Sequence, residues 1–139
     1  MGYVRDIMNK HVITISKDKT CLEAATLLHE KDISFLVVTE GQNPVGVVSE
    51  ADFVRKLVAA NKIASQTKVS EIMSPKFRWV EPTTTIEDAV QKMLNNHIRR
   101  LVVLENQNLA GVITQTDLAA HLRSKLLIDE TVKSIGDQD

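Results

Sequence analysis

The chain repeats itself after 65 residues: residues 4–58 lie over 69–123 without a gap, and the identical pairs include Val4/Val69, Ile7/Ile72, Met8/Met73, Thr20/Thr85, Ala24/Ala89, Leu36/Leu101, Gly46/Gly111 and Asp52/Asp117. Apolar, turn and acidic positions do not fall into one register by chance, so the sequence carries an internal duplication. The period exceeds that of the common solenoid repeats, and two copies are too few for an array. Each copy alone is near the size at which a single core is marginal. The two must therefore fold against each other, as a pseudo-twofold pair of small α/β units.

A length of 139 residues suits one compact domain, and 43% apolar with 25% charged residues is ordinary for a soluble globular protein. The net charge of −1 gives no general pull toward nucleic acid or an anionic membrane, so any basic site must be local. One cysteine, Cys21, excludes an internal disulfide and suits a reducing compartment. It aligns with Ile86, which points to a buried apolar thiol. The N-terminal MGYVRDIM lacks the apolar run of a signal peptide, and no apolar stretch is long enough to span a bilayer. The expected location is the cytoplasm.

In the first copy, residues 12–15 read as a short strand and 16–19 as a turn. Thr20-x-x-Glu23 has the spacing of a capping box, with apolar residues following at helical intervals to about residue 31. Residues 35–38 form a continuous apolar run, as expected of a strand covered on both faces. A turn over 40–44 and a partner strand over 45–48 follow, and Ser49 opens a helix that carries Phe53, Val54, Leu57 and Val58 inward. The second copy repeats the order: a strand over 77–80, a helix from Thr85 to about residue 96, a hairpin of 101–104 with 110–113, and a helix from Thr114. The plan is β-α-β-β-α twice, an α/β (α+β) fold. Residues 1–60 are the first repeat, 61–68 a linker, 69–123 the second repeat, and 124–139 a helical extension and tail. Residues 4–8 and 69–73 read as short lead-in helices. Leu126, Leu127, Ile128, Val132 and Ile135 have no counterpart in the repeat, which suits a face covered by a partner chain, and residues 136–139 are expected to fray.

The chemistry concentrates in Gly46-Val47-Val48-Ser49-Glu50-Ala51-Asp52 and its copy Gly111-Val112-Ile113-Thr114-Gln115-Thr116-Asp117. A hydroxyl at a helix N-terminus can bond a ribose or phosphate oxygen, and an acid one turn on can accept from two ribose hydroxyls. The same S/T-x-x-D spacing is also a capping box that needs no ligand. Basic residues separate the copies. Arg99-Arg100 stands before the second copy's central strand where the first copy has Ser34-Phe35. Two guanidiniums beside a buried strand face either water or an anion, and their planar donors suit phosphate oxygens. Lys56, His121 and Arg123 on the last helices read equally as added charge or as solvated faces. His11, His29, His97 and His121 have no mutual metal spacing, so no metal is expected. No phosphate-binding P-loop, nucleophile elbow or dinucleotide fingerprint is present.

The order I-M, a strand, T-x-x-E-A, an L-x-V-V strand, then G-V-V-S-E-A-D and G-V-I-T-Q-T-D, resembles the cystathionine β-synthase (CBS) domain over nearly all of residues 4–123. The tandem copies resemble one Bateman module of that family. The resemblance implies two repeats related by pseudo-twofold symmetry, packed sheet to sheet with helices outside. It also implies a regulatory module that binds adenosyl ligands such as AMP, ADP, ATP or S-adenosylmethionine, with the aspartate of the motif gripping the ribose diol. In nucleotide-binding members a His-Arg pair stands at the Arg99-Arg100 position and reaches the phosphate of a ligand whose ribose the other copy holds. By position, one site combines Ser49, Asp52, Arg99 and Arg100, with adenine against the strand of Phe77, Trp79 and Val80. The other combines Thr114, Asp117 and Ser34 with Val12 and Thr14, and has little to neutralise phosphate. Phosphorylated adenosine is expected in the first. The implied protein is non-catalytic, needs no cofactor, forms a homodimer through its helices, and signals ligand state to a separate regulated protein. The alternatives are an S-adenosylmethionine-binding module, or an interaction module with vestigial pockets.

Overall fold

The computed structural model describes the backbone of residues 2–137 and the side chains of residues 2–127. The first repeat contains α1 (Val4–Ile7), β1 (Thr14–Ser16), α2 (Cys21–Lys31), β2 (Phe35–Glu40), β3 (Asn43–Ser49) and α3 (Glu50–Asp52), which continues as a π-helix over Phe53–Val58. Short 3-10 turns at Ala64–Gln66 and Val69–Glu71 lead to β4 (Trp79–Val80), α4 (Ile86–Asn96), β5 (Arg100–Glu105), β6 (Asn108–Thr114) and α5 (Gln115–Asp137). Each repeat makes one three-stranded sheet, β1-β2-β3 and β4-β5-β6, with the first pair parallel and the second antiparallel. The duplication extends to the irregularities. The register slips after Val38 in one sheet and after Val103, its counterpart, in the other.

The central strands explain why their sequences are apolar without alternation. Leu36 and Val38 point into the core of the first repeat while Val37, between them, points the other way. Leu101, Val103 and Val102 divide in the same manner. Val37, Val102 and Val112 form a cluster between the sheets, joined by Phe35, Val47 and Phe77, so the two sheets face each other across the pseudo-twofold. Both faces of β2 and β5 are therefore dry.

The lead-in segments are exchanged. Val4 is fully buried in the core of the second repeat, with Val80, Ala89, Leu101 and Ile113. Val69 and Ile72 are fully buried in the core of the first, with Ala24, Leu36 and Val48. Backbone bonds repeat the exchange in both directions. The amide of Val4 donates to Thr84 O (2.8 Å) and that of Ile86 to Gly2 O (3.1 Å), while Val69 donates to Lys19 O (2.8 Å) and Cys21 to Thr67 O (2.7 Å). Asn9 then pairs with Val112 and Ser74 with Val47, each through two backbone bonds. The linker is accordingly docked rather than loose, and Thr67 is buried with its hydroxyl on Ile63 O.

Local chemistry sets the helix ends. Thr20 and Thr85 cap α2 and α4 by accepting from the amides of Glu23 and Asp88 (3.1 Å each), and both helices end on a left-handed residue, Asp32 and His97. Strands β1 and β4 are shorter than the expected 12–15 and 77–80, and Ser16, assigned to a turn, belongs to β1. Ile13 O and Arg78 O still accept from Val37 and Val102, so the pairing fades over the preceding residues rather than ending sharply. The π-helix was not anticipated: Ala59 N donates to Val54 O, five residues back, whereas the matching stretch of α5 is α-helical. Cys21 is fully buried and free of any disulfide, and burial, with Glu71 nearby, pushes its thiol pKa up. Helix α5 continues past the repeat and takes in Gly136 and Asp137. The frayed end expected at Gln138 and Asp139 lies outside the described residues, as do the side chains of Ile128, Val132 and Ile135.

Gly46 and Gly111 are where the exchanged segments press on the sheets. A Cβ on Gly46 would lie 2.8 Å from Met73 Sδ and 2.9 Å from Ser74 O, and one on Gly111 would lie 2.8 Å from Asn9 O and 3.0 Å from Met8 Sδ. A methionine tail can move, but a hydrogen-bonded carbonyl cannot move without breaking the bridge. Gly46→Ala is expected to cost about 2 kcal/mol by urea unfolding. A Gly46→Ala/Met73→Ala double mutant should recover none of that loss, because the Ser74 carbonyl remains in place.

Candidate functional site

Strand β3 ends at Ser49, whose extended backbone caps the helix that follows. The Asp52 carboxylate turns back so that Oδ2 accepts from the Ser49 amide (2.8 Å) and the Ser49 hydroxyl (3.3 Å). The second repeat reproduces this: Asp117 Oδ2 accepts from the amide and hydroxyl of Thr114 (2.9 Å each), and the Thr114 hydroxyl accepts from the Asp117 amide (3.2 Å). Both motifs are thus formed capping boxes. The cap uses one carboxylate oxygen and leaves Oδ1 for something else. In the first repeat that something is Lys56, whose ammonium stands 3.0 Å from Asp52 Oδ1. Lys56 also donates to Ile72 O (3.2 Å) and Ser74 Oγ (3.4 Å), tying the aspartate to the exchanged segment of the other repeat. The Asp52 side chain is 13% exposed, so the carboxylate is largely but not wholly shielded from solvent.

Between the repeats lies a cleft of about 740 Å³, inside the range of pockets that enclose small organic ligands, about 300–1,000 Å³. One wall comes from the first repeat: Phe35, Val47, Ser49, Asp52 and Arg55. The opposite wall comes from the second: Lys76, Phe77 and Arg78 ahead of β4, His97 and Arg99 between α4 and β5, and Arg100 at the start of β5. Ser49, Asp52, Arg99, Arg100 and Phe77, assigned to one site from sequence, line this single cleft. Trp79 and Val80 lie outside it. In a two-residue strand the side chains must point to opposite faces, and Val80 is buried in the second core while Trp79 is 44% exposed. The Trp79 ring lies under the Lys92 ammonium, which also donates to Trp79 O (2.6 Å).

Arg100 does more than face an anion. Its guanidinium donates to Ser34 Oγ across the repeat boundary (2.8 Å) and stacks 4.9 Å from the Phe35 ring centroid. Partial burial, with repulsion from Arg99, pushes its pKa down, while Glu50 and Asp52 pull it up. An arginine remains charged through such shifts, so the cleft keeps a cation at its centre. Ser34, expected to serve the second site, is thereby an acceptor for Arg100. Of the remaining residues expected there, Thr114 and Asp117 are held together by their cap, Val12 packs on the inter-sheet cluster, and Thr14 opens onto a depression beside α2 with Leu22 and Thr26.

The sequence reading missed Arg55, Lys76, Arg78 and His97 as cleft residues. The signal was present for two of them, since Lys76 and Arg78 flank Phe77, which the reading did place at the site. Arg55 lies three residues after Asp52, on the π-helical stretch, and nothing in its local pattern separated a cleft cation from a solvated one. Among the described residues no cluster of histidine, cysteine or carboxylate side chains is arranged to hold a metal.

The CBS domain family model matches residues 4–59 and 69–124. The CBS domain-containing protein YhcV of Bacillus subtilis is 31% identical over 139 residues, 100% of this chain and 99% of that protein. A solved CBS-domain protein from Burkholderia ambifaria superimposes with a TM-score of 0.83 at 31% identity, covering 87% of this chain and 93% of its own. A CBS domain pair solved in complex with 5′-methylthioadenosine and S-adenosyl-L-methionine has a TM-score of 0.81, at 24% identity over 90% of this chain and 98% of that one, and shares the fold.

Each capping box should be worth about 1 kcal/mol. Asp52→Ala and Asp117→Ala are expected to lower the unfolding free energy by similar amounts and to leave the circular dichroism spectrum of the folded protein intact.

Proposed function

The chain belongs to the CBS domain family, whose paired modules are regulatory ligand-binding domains, and we propose that this pair binds a phosphorylated adenosyl ligand, AMP, ADP or ATP, in the cleft between its repeats. The observation that carries this reading is the meeting in one cleft of Ser49 and Asp52 from the first repeat with Arg99 and Arg100 from the second. Asp52 takes the ribose hydroxyls, with Lys56 releasing Oδ1. The arginines take the phosphate, and the base lies between Phe77 and the valines of the inter-sheet cluster. A sulfonium ligand such as S-adenosylmethionine would meet repulsion from the same arginines.

A ligand held by both repeats favours whichever relative arrangement it binds best, and shifts the population by that difference alone. The module carries out no reaction and needs no cofactor in this reading. Its output passes to a separate regulated protein in the cytoplasm, and among the described residues no helix is long and apolar enough to cross a membrane. A second copy of the chain pairs with it through the helices of the second repeat. Leu57 is buried in the core of the first repeat, against which Ala64 also packs, whereas its counterpart Leu122 is 56% exposed and Leu126 is 55% exposed. Light scattering should return twice the chain mass, and Leu122→Glu/Leu126→Glu should return the monomer.

One observation favours the interaction-module alternative: both oxygens of Asp52 already have partners within the protein. Calorimetric titration with AMP, ADP, ATP and S-adenosylmethionine separates the two. A phosphorylated adenosine should bind, with affinity reduced at least about tenfold in Asp52→Ala, as expected for losing a hydrogen-bonded carboxylate, and little changed in Asp117→Ala. Unchanged affinity in Asp52→Ala would remove the ribose assignment, and no heat with any ligand would leave the interaction module.

A further inference from the structure

The cleft carries more positive charge than one phosphate group calls for. Arg55, Lys76, Arg78, Arg99 and Arg100 line it against one carboxylate, Asp52, leaving an excess of four positive charges. That carboxylate is itself paired with Lys56 at 3.0 Å, so it does little to offset the arginines. The excess is not a property of the repeat. In the 65-residue register, Arg55, Lys76, Arg78 and Arg99 correspond to Ala120, His11, Ile13 and Ser34. Four cations thus stand on one side of the pseudo-twofold where their counterparts are small, apolar, hydroxyl or imidazole.

Their placement adds a second constraint. Arg99 and Arg100 approach from the N-terminal end of β5, and the other three from elsewhere: Arg55 from the π-helix of the first repeat, Lys76 and Arg78 from the segment ahead of β4. Arg55, Lys76 and Arg78 are exposed, and among the described residues no hydrogen bond or ion pair engages their side chains. Side chains with several rotatable bonds, left solvated around a concave surface, suit an extended anion that several of them can reach at once. A phosphomonoester carries about two negative charges at neutral pH, and each further phosphate in a chain adds about one. A monophosphate would leave the cleft strongly positive, whereas a triphosphate comes close to balance.

Resting on the adenosyl reading of this cleft, we infer that it selects its nucleotide by the length of the phosphate chain, preferring triphosphate over monophosphate, with Arg55, Lys76 and Arg78 as the specificity-determining residues. Arg99 and Arg100 hold the phosphate nearest the ribose. The three outlying cations reach the phosphates beyond it.

The test is equilibrium binding of AMP, ATP and inorganic tripolyphosphate to the full chain and to Arg55→Gln/Lys76→Gln/Arg78→Gln. EDTA is included so that no divalent cation masks the phosphate charge, and the salt concentration is varied. ATP should bind wild type at least about tenfold more tightly than AMP, with a steeper fall as salt is raised. The triple variant, whose altered side chains are all exposed, should lower that ratio to about threefold or less and flatten the salt dependence. Equal binding of AMP and ATP by wild type would overturn the inference while leaving the adenosyl reading intact, and so would a triple variant that keeps the wild-type ratio. Tripolyphosphate bound as tightly as ATP would keep the charge selection and overturn the adenosyl reading. Binding of none of the three would overturn both.

Discussion

The structure depends on an exchange: each repeat's lead-in segment completes the other repeat's core. Val4 fills the second core and Val69 with Ile72 the first, all fully buried. Removing either segment from its host would open an apolar void in one repeat and expose the same side chains to water. The two halves are thereby one cooperative unit even though each has its own sheet and its own helices. Met8, Met73, Gly46 and Gly111 are the places where the exchange is tightest. The glycines allow a backbone carbonyl to approach to within 3 Å of where a Cβ would stand.

The exchange also builds the cleft. The segment that carries Val69 and Ile72 into the first repeat continues through Ser74, which pairs with Val47, and then through Lys76, Phe77 and Arg78, which line the wall opposite Asp52. Lys56 closes the circuit by holding Asp52 on one side and the carbonyl of Ile72 on the other. Whatever enters the cleft and engages Asp52 therefore acts on groups bonded to the exchanged segment. The path from site to core is one side chain long, and Lys56 gives the two repeats a physical reason to report on the same ligand.

Pseudo-symmetry makes the differences informative. In both copies the aspartate carboxylate accepts from the amide and the hydroxyl of the residue that opens the helix, so the helix starts are built alike. The charges around them are not. Arg100 sits across the boundary, bonded to Ser34 and stacked on Phe35, where the first repeat offers no reciprocal cation. The helices that follow diverge too. One widens into a π-helix with Leu57 buried, while the other runs on through Asp137 and leaves Leu122 exposed. Duplication preserved the frame, and the two copies then took different surface chemistry.

Much of this was legible in the chain itself. The pairing of Asp52 with Arg99 and Arg100 is what the resemblance to the CBS family implies, whereas the repeat, the capped helices at Thr20 and Thr85, and the doubly buried strands at 35–38 and 101–104 follow from local pattern and from the register between copies. These are properties of period, side-chain size and charge, which short stretches express without knowing their neighbours. Three things were not legible. The exchange was hidden because both copies offer the same Ile-Met lead-in and the same glycine, so Met8 suits Gly46 as well as Gly111 and only the path of the chain between repeats chooses. Trp79 looked like a cleft residue because it neighbours Phe77 in sequence, yet which face of so short a strand looks inward depends on the sheet packed against it. Arg55 lies three residues after Asp52 on the helix that opens at Ser49, and only the assembled wall of the first repeat shows that it lines the cleft rather than open solvent. Local sequence thus determined the elements and their ends, whereas tertiary packing decided which copy completes which core and which side chains share one cleft, because those choices lie between alternatives of nearly equal local energy.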